Sequence, residues 1–363
     1  MTIPLFDTRS GLDPLREEIL ERIRSVVDSG AFVLGPEVDA FERQFASYLG
    51  VRHVVGVANG TDALVIALRT VGVRPGDDVV VPSLTFYASA EAIAAIGARP
   101  VFCDVDPDTR VLTAATVRAV MTPKTTAIVA VDLFGLPAPM PELRELGVPV
   151  VEDAAQAAGA SLEGRRAGAL ADVATFSFYP SKNLGCFGDG GAIATDDDSI
   201  AEMARTLRFH GSRDKQTFDY VGYNSRLDEI QAAVLRVLLR QLDTWCDGRR
   251  AAASAYVNAG LGAHVGLPVV PDGAEPAWHL YVVTHPHADE LLSRLNSSGI
   301  QARSYYRQPL HRQAAMAPYA GDAAPLPVTD ELARTIVALP MSPFLTAANA
   351  IEVAKTVASV LSG

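Results

Sequence analysis

The first two thirds of the chain alternate between short apolar runs and stretches with helical periodicity. The runs are nearly continuous in apolar residues, which is typical of strands in a parallel sheet that is covered on both faces. Helical stretches separate them, for example 61–71, 86–97, 113–120 and 199–209, and complete a β-α-β rhythm. The pattern predicts an open α/β sheet, mostly parallel and wrapped by helices, with seven strands at 53–58, 78–82, 100–103, 126–131, 148–151, 173–178 and 191–194.

The last third of the chain has a different pattern. A long helical run over 225–260 predicts a connector, and the Gly/Pro-rich segment 260–276 follows it. A smaller α+β unit is then predicted from a strand, a helix, an extended segment and a terminal helix, at 278–284, 287–298, 299–306 and 346–361. We therefore expect two domains, a large one over residues 1–245 and a small C-terminal one over residues 246–363.

Composition narrows the class of protein. The 363 residues are 49% hydrophobic and 20% charged, which is ordinary for a globular protein. The net charge of −11 comes without a basic run, so we expect no nucleic acid as a partner. No stretch approaches the ~18 apolar residues of a membrane span, and the N-terminus lacks the pattern of a signal peptide. We therefore expect a cytoplasmic protein that does not bind membranes.

Cysteine and histidine spacing argues against a metal site. The three cysteines, Cys103, Cys186 and Cys246, are far apart and form no CxxC pair, so reduced thiols are expected. The closest histidine pair, His285 and His287, has no acidic residue spaced to complete a zinc site. The sequence therefore predicts neither a disulfide framework nor a metal.

Lysine is rare in this chain. Of the 31 basic residues only four are lysines, at Lys124, Lys182, Lys215 and Lys355. Lys182 follows the aromatic strand TFSFYP and precedes a glycine-rich loop. Apolar surroundings disfavour the charged ammonium and make the amine available for attack on a carbonyl carbon. Lys182 is thus the predicted nucleophile; the alternative is a lysine that only extends from a loop into solvent.

Two further strand ends carry candidate ligand-binding residues. Gly60 and Thr61 open a helix after the first strand, where free N–H groups favour a phosphate, although an N-cap by Asn59 or Thr61 explains the same composition. Glu152 and Asp153 follow the run VPVV, and alternation along a strand lets only one of them face the cleft. A phosphate site, a lysine amine and a carboxylate together match pyridoxal phosphate, which has a phosphate, an aldehyde and a ring nitrogen.

A resemblance to a known family covers nearly the whole chain. It rests on ordered segments that include GPEVDAFERQFASYLGVRHVVGVANGTDAL, VVVPSLTFYASAEAI, PVFCDVDPDT, VVEDAAQAAGA, TFSFYPSKNLGCFGDGGAI, YNSRLDEIQAAVL, WHLYVV and YYRQPLH. The chain resembles the DegT/DnrJ/EryC1/StrS family of pyridoxal-phosphate-dependent sugar aminotransferases. The resemblance implies the type I fold of pyridoxal-phosphate enzymes and a homodimer whose active sites are shared between subunits.

The resemblance also implies roles for individual residues. Lys182 forms the Schiff base with the cofactor and Asp153 pairs with its ring nitrogen, so these two are the expected catalytic residues. The other expected cofactor contacts are Gln156 near the 3-hydroxyl, Phe86 stacked on the ring, and a phosphate site made by Gly60, Thr61, Ser177 and, from the partner subunit, Asn224. The expected contacts to the sugar nucleotide or the amino donor are Tyr179, Arg226 and His311.

The expected reaction moves an amino group from L-glutamate or L-glutamine to a nucleotide-linked keto-6-deoxy sugar by ping-pong kinetics. C-3 is the expected position, because SKNLG followed by GDGG resembles the C-3 branch, whereas C-4 enzymes resemble HPxK followed by GEGG. A C-4 keto sugar or a cyclitol ketone is the alternative acceptor. Many relatives have a histidine where this chain has Ala158, so the fit of the acceptor can differ.

Three other classes of protein fit the sequence less well. Sugar dehydratases with the same cofactor carry a histidine at the position of Lys182. A Rossmann dehydrogenase or epimerase would have GxGxxG after the first strand, and this chain does not. A sugar-nucleotide sensor without catalysis would not need the complete set of cofactor-binding residues.

Overall fold

The computed structural model describes residues 2–321 and 324–361. The helices are α1 (Arg16–Ser29), α2 (Pro36–Leu49), α3 (Gly60–Thr70), α4 (Ala88–Ala95), α5 (Ala114–Arg118), α6 (Met140–Arg144), α7 (Asp198–Arg208), α8 (Glu229–Leu239), α9 (Leu242–Asn258), α10 (Ala288–Ser297), α11 (Ala317–Ala320), α12 (Pro327–Thr335) and α13 (Ala347–Leu361). The strands are β1 (His53–Val57), β2 (Asp78–Pro82), β3 (Arg99–Cys103), β4 (Thr125–Val131), β5 (Val150–Asp153), β6 (Ser161–Leu162), β7 (Arg165–Arg166), β8 (Val173–Ser177), β9 (Gly191–Thr195), β10 (Ala274–Glu275), β11 (Tyr281–Thr284) and β12 (Ile336–Leu339). None of the helices in these two ranges is long and apolar enough to cross a bilayer.

All seven predicted strands form one sheet in the order β1-β9-β8-β5-β4-β2-β3. Neighbours from β8 to β3 are parallel, and β9 is antiparallel to both β1 and β8. Six strands therefore run in one direction, and their carboxyl ends lie along the same edge. This confirms the predicted α/β class with a mostly parallel sheet.

Helices cover both faces of the sheet, as continuous apolar strands require. One face packs with α3 and α4 in the largest apolar core. The other face packs with α1, α2 and α8, and aromatic rings join there: Phe45 lies edge-on to Phe176 at 5.0 Å and to Phe178 at 5.7 Å between centroids. Phe176 and Phe178, which precede Lys182, are therefore core residues that anchor the end of β8.

A third core lies among the C-terminal elements. β11 and β12 form an antiparallel pair that packs with α9, α10 and α13, and the rings of Tyr256 and Tyr281 stack at 4.8 Å. The predicted helical run 225–260 is two helices, because the chain turns at Arg240 and Gln241 between α8 and α9. The boundary at 245/246 falls within α9, and the division into two domains stays a prediction.

Candidate active site

The carboxyl edge of the sheet brings Lys182 and Asp153 together. Asp153 ends β5, and Lys182 lies in the loop after the parallel neighbour β8. Each charge acts on the pKa of the other group. Among residues 2–321 and 324–361, however, no carboxylate oxygen lies within 4.0 Å of the Lys182 amine. The two groups are thus close enough to interact electrostatically without forming an ion pair, and the space between them is here called the gap.

Asp153 is a buried carboxylate with few partners. It is 5% exposed; its Oδ2 accepts a hydrogen bond from Ser89 Oγ at 2.8 Å, and its Oδ1 accepts one from Ala155 N at 3.3 Å. Burial raises the pKa of Asp153, while the Ser89 hydrogen bond and the charge of Lys182 oppose the rise. Glu152 points to the other face, where it accepts from Gly168 N at 2.7 Å. The predicted alternation of the two acids is observed.

Lys182 is held in a tight turn and has an unusually acidic ammonium. Its backbone N–H donates to Tyr179 O at 2.8 Å, and a Cβ at Gly185 would lie 2.8 Å from Pro180 O. Burial lowers the pKa of Lys182 to about 8, although Asp153 opposes the decrease. A larger fraction of the amine is therefore neutral near pH 7 than in an exposed lysine.

Gln156 and two aromatic residues, Tyr306 and Phe86, contact one another near Asp153. Gln156 Oε1 accepts from Phe134 N at 2.8 Å, which directs Nε2 to donate to Tyr306 Oη at 3.2 Å. The centroids of the Tyr306 and Phe86 rings lie 6.2 Å apart. Burial raises the pKa of Tyr306, and the charge of Asp153 raises it further. Phe86 is 55% exposed, so one face of this ring is free to contact a ligand.

The start of α3 forms a cradle of backbone atoms. Asn59 is the N-cap, with its Oδ1 accepting from Asp62 N at 2.8 Å, so Thr61 is not the cap. Within the described part of the chain, no acceptor binds the N–H groups of Gly60 and Thr61. A Cβ at Gly60 would lie 2.7 Å from Ser177 Cβ, so only glycine allows the end of β8 to approach this closely.

Asn224 and Arg226 lie beside Asn59 of their own chain. Together with Asp189 and Asp228 they line a cavity of about 430 Å³. Ser225 Oγ accepts from Ala58 N at 3.1 Å and holds this segment against the end of β1. The structure thus brings two further predicted site residues close to the start of α3.

Two predicted substrate contacts are not joined to this group. Tyr179 is 56% exposed, and its hydroxyl has no hydrogen-bond partner among the residues the structure describes. His311 Nδ1 lies 2.7 Å from Ser83 Oγ and its Nε2 lies 3.3 Å from Asp330 Oδ1. Burial lowers the pKa of His311, against the charge of Asp330. Both ring nitrogens therefore already have protein partners.

Ala158 lies in the apolar core rather than in the cleft. It is buried with Ala157 and Ala160, and the Cys246 thiol of α9 donates to its carbonyl at 3.7 Å. The methyl group of Ala158 is therefore not available to a ligand. If residue 158 affects how the acceptor sugar fits, it does so indirectly, through the packing of the core on the α1, α2 and α8 face of the sheet.

Sequence reasoning missed several residues of the site. Ser89 contacts Asp153, and Tyr306 contacts Gln156. Both lie in segments that resemble the family, VVVPSLTFYASAEAI and YYRQPLH, but the resemblance assigned roles only to Phe86 and His311 there. His279, from the segment WHLYVV, is buried beside Asn183 with Nδ1 and Oδ1 3.3 Å apart. Asn183 Nδ2 donates to Ala277 O at 2.7 Å, so its Oδ1 accepts and His279 Nδ1 donates.

A partly neutral lysine opposite a buried acid suits chemistry on a carbonyl, and the glycine-lined helix start beside it suits a phosphate. On this sheet, that combination defines the class of enzymes that hold a phosphorylated aldehyde cofactor on a lysine. The model of the DegT/DnrJ/EryC1/StrS aminotransferase family matches residues 13–358, and the chain belongs to this family. It is therefore an enzyme of the aminotransferase class.

Named relatives and solved structures agree with this assignment. The chain is 46% identical over 360 residues to dTDP-3-amino-3,4,6-trideoxy-alpha-D-glucose transaminase of Streptomyces venezuelae, covering 97% of this chain and 94% of that one. The crystal structure of S. venezuelae DesV in complex with a ketimine intermediate has a TM-score of 0.96 at 45% identity, covering 100% and 99%. NtdA of Bacillus subtilis with bound cofactor PMP has a TM-score of 0.92 at 28% identity, covering 100% and 86%.

Proposed function

We propose that the protein transfers an amino group from L-glutamate, or from L-glutamine, to C-3 of a nucleotide-linked keto-6-deoxy sugar. The observation that carries the proposal is that the Lys182 amine and the buried Asp153 carboxylate are close enough to change each other's pKa, with Gln156, Tyr306 and Phe86 in contact with one another near Asp153. The name of the S. venezuelae relative supports the nucleotide-linked sugar and the position of the amino group.

The cofactor is pyridoxal 5′-phosphate, and the residues of the gap fit it. The N–H groups of Gly60 and Thr61, which have no acceptor in the described part of the chain, suit its phosphate. The Lys182 amine suits its aldehyde, and the Asp153 carboxylate suits a protonated ring nitrogen. When bound, the cofactor supplies an electrophilic carbon and a ring that takes up the electron pair of a broken Cα–H bond.

Lys182 acts twice in this proposal. Its Nζ first holds the cofactor covalently, which a pKa of about 8 favours because part of the amine is neutral. When it is not attached to the cofactor, Nζ would be free to take the proton from Cα of the donor as a general base and to give it back as a general acid. In the second half-reaction the same Nζ moves the proton in the opposite direction.

Asp153 holds a proton at the ring nitrogen. A buried carboxylate whose hydrogen-bond donors within the described ranges are Ser89 Oγ and Ala155 N strongly favours a cationic partner. Ser89 orients the carboxylate, because its hydroxyl donates to Oδ2. Gln156 Nε2, whose orientation is fixed because Phe134 N–H donates to Oε1, donates to Tyr306 Oη and is proposed to lie near the 3-hydroxyl.

The phosphate and substrate end is proposed to be completed by a second copy of the chain. Asn224 of the partner subunit then reaches the phosphate, and Arg226, Tyr179 and His311 contact the sugar nucleotide or the donor. The loop before Asn224 supports a homodimer, because Phe218, Tyr220 and Val221 are apolar and are 58%, 45% and 87% exposed.

The test uses purified holoenzyme, L-glutamate or L-glutamine, and a panel of nucleotide-linked 3-keto and 4-keto sugars together with a cyclitol ketone. Mass spectrometry reads the gain of an amine, and NMR gives the carbon that carries it. A 3-amino-6-deoxy sugar nucleotide is the expected product. Amination at C-4 would overturn the regiochemistry, and loss of a hydroxyl without amination would overturn the reaction type. The Lys182→Ala variant is the control for amination without the enzyme.

A further inference from the structure

A cavity of about 330 Å³ lies between the N-terminal segment and the Lys182 loop. Its volume falls in the range of ~300–1,000 Å³ that small-molecule sites have. Phe6, Leu12, Trp245 and Phe344 supply apolar walls, and Lys182 is part of the lining. None of the roles proposed above uses this space.

Arg249 from α9 lines this cavity and has no counter-ion among the residues that the structure describes. It is 7% exposed. Its Nη1 donates to Trp278 O at 3.0 Å, and in the described part of the chain the guanidinium forms no ion pair within 4.0 Å. Burial lowers the pKa of Arg249 to about 10, as expected for a cation without an acidic partner. A buried arginine usually has a carboxylate or a ligand anion beside it.

The charges around the cavity favour an anion. Lys182 and Arg249 both lie close enough to His279 to lower its pKa, in addition to the effect of burial. Asp7 is the acidic residue of the lining; its carboxylate accepts hydrogen bonds from Ser10 N at 3.0 Å and Ser10 Oγ at 2.6 Å, and its negative charge is outnumbered by the basic residues Lys182 and Arg249. Among residues 2–321 and 324–361 the guanidinium thus has donors without a partner, in a half-apolar cavity that Lys182 also lines.

We propose that Arg249 binds a carboxylate of the amino donor in this cavity, a role that rests on the transamination proposed above. A guanidinium matches a carboxylate with two parallel hydrogen bonds, and the apolar walls suit the methylene groups of a five-carbon amino acid. A donor held at Arg249 lies next to the Lys182 loop, where its amine is needed. Arg249 is therefore a binding residue for the donor and not for the keto sugar.

The test measures binding of glutarate, which has both carboxylates of L-glutamate but no amine, to the holoenzyme by calorimetry. In Arg249→Gln we expect glutarate to bind about 10- to 100-fold more weakly, because hydrogen bonds to a charged group are lost. The KM for L-glutamate should rise by a similar factor, whereas the KM for the keto sugar stays unchanged. Arg250→Gln is the matched control, because Arg250 pairs with Asp247 at 2.6 Å and removal of its charge should leave glutarate binding unchanged.

A second variant covers the case in which Arg249→Gln does not fold. Thr8 is an exposed residue of the lining, and Thr8→Trp should fill the cavity without removing a buried charge. The inference is overturned if Arg249→Gln keeps the melting temperature and cofactor absorbance of the wild type and binds glutarate within about twofold of it. It is also overturned if Thr8→Trp, correctly folded, binds glutarate as the wild type does.

The two proposals can fail separately. If the wild-type holoenzyme accepts no amino group from L-glutamate or L-glutamine, transamination from these donors is wrong, whatever glutarate does. If the wild type accepts the amino group but Arg249→Gln raises the KM values for donor and keto sugar equally, Arg249 has only a structural role.

Discussion

The proposed site has two ends, one marked by Asp153 at the end of β5 and one by Asn59 after β1, and the two are built differently. At the lysine end, which comprises Lys182, Asp153 and Ser89, the chain buries charged groups and lets burial change their pKa. At the α3 end, which comprises residues 59–61 with Asn224 and Arg226, backbone N–H groups and exposed side chains surround an open cavity. Replacing a single side chain should therefore affect activity most at the lysine end. The α3 end depends on the shape of the backbone, and its open cavity leaves room for groups of a partner subunit.

Loss of the Lys182 amine should have the largest effect. Lys182→Ala removes both the covalent attachment and the group that moves the proton, so we expect activity to fall by more than about 10⁴-fold. Borohydride reduction of the wild-type holoenzyme and peptide mapping should find the cofactor on Lys182. The exposed Lys124, changed to alanine, is the control and should keep full activity. A label on Lys124, Lys215 or Lys355 would contradict the assignment.

Neutralising Asp153 should have the second largest effect. Asp153→Asn keeps the shape but removes the charge, so the proton-transfer step should slow by on the order of a thousandfold while cofactor still binds. Single-turnover absorbance measures this step. Ser89→Ala sharpens the test, because it removes one hydrogen bond and keeps the charge, and about a tenfold decrease is expected. Wild-type rates in Asp153→Asn would mean that the acid is structural.

At the α3 end, Asn224→Ala should weaken cofactor binding by about 10- to 150-fold. The reason is that a hydrogen bond to the charged phosphate, which contributes ~1.5–3 kcal/mol, is lost. Mixing Lys182→Ala with Asn224→Ala tests whether the end is shared. In a mixed dimer one site combines the intact Lys182 with the intact Asn224, so activity should rise above both parents. If chromatography proves exchange of subunits and activity stays at the parental average, Asn224 acts within its own subunit. The α3 end, like the lysine end, is then formed by one chain.

The smallest predicted effect is a pH dependence at the lysine end. Attachment of the cofactor needs the neutral amine, and the pKa of Lys182 is lowered to about 8. Below this pH the neutral fraction falls about tenfold per unit, and above it the fraction approaches one. Stopped-flow reconstitution of apoenzyme should therefore speed up with rising pH and level off above about pH 8. A rate that still rises tenfold between pH 9 and pH 10 would mean that the amine titrates as in an exposed lysine.

The sheet and the lysine end could be predicted because their signals are local. Each strand of the sheet is a short apolar run, and the residues just after the runs lie at one edge whatever the strand order. Lys182 and Asp153 were found on that basis. β12 was not predicted, because its four residues pair with β11, which lies more than 50 residues earlier. The helix α1 was also not predicted, because Ile19 and Val26 are its only two buried residues and give a weak helical pattern.

The partners of the site residues could not be predicted, because distant parts of the chain supply them. Ser89 is 64 residues from Asp153, and Tyr306 is 150 residues from Gln156. The turn between α8 and α9 contains neither glycine nor proline, so no propensity signal marks it. Asn224 was predicted only through resemblance, and its place beside Asn59 follows from tertiary contacts of Ser225 with Ala58.

The hydrogen bonds of Asn183 have a consequence for how the protein is made. Asn183, next to Lys182, is held by Ala277 O and His279, which follow it in the chain by 94 and 96 residues. At about 5–20 residues per second, a ribosome needs about 5 to 20 s to add these partners after it has made the lysine. During that interval the reactive amine exists on a nascent chain without its final support. Cofactor loading is therefore expected only after more than three quarters of the protein has been translated, and chains truncated before Ala277 should not retain the cofactor.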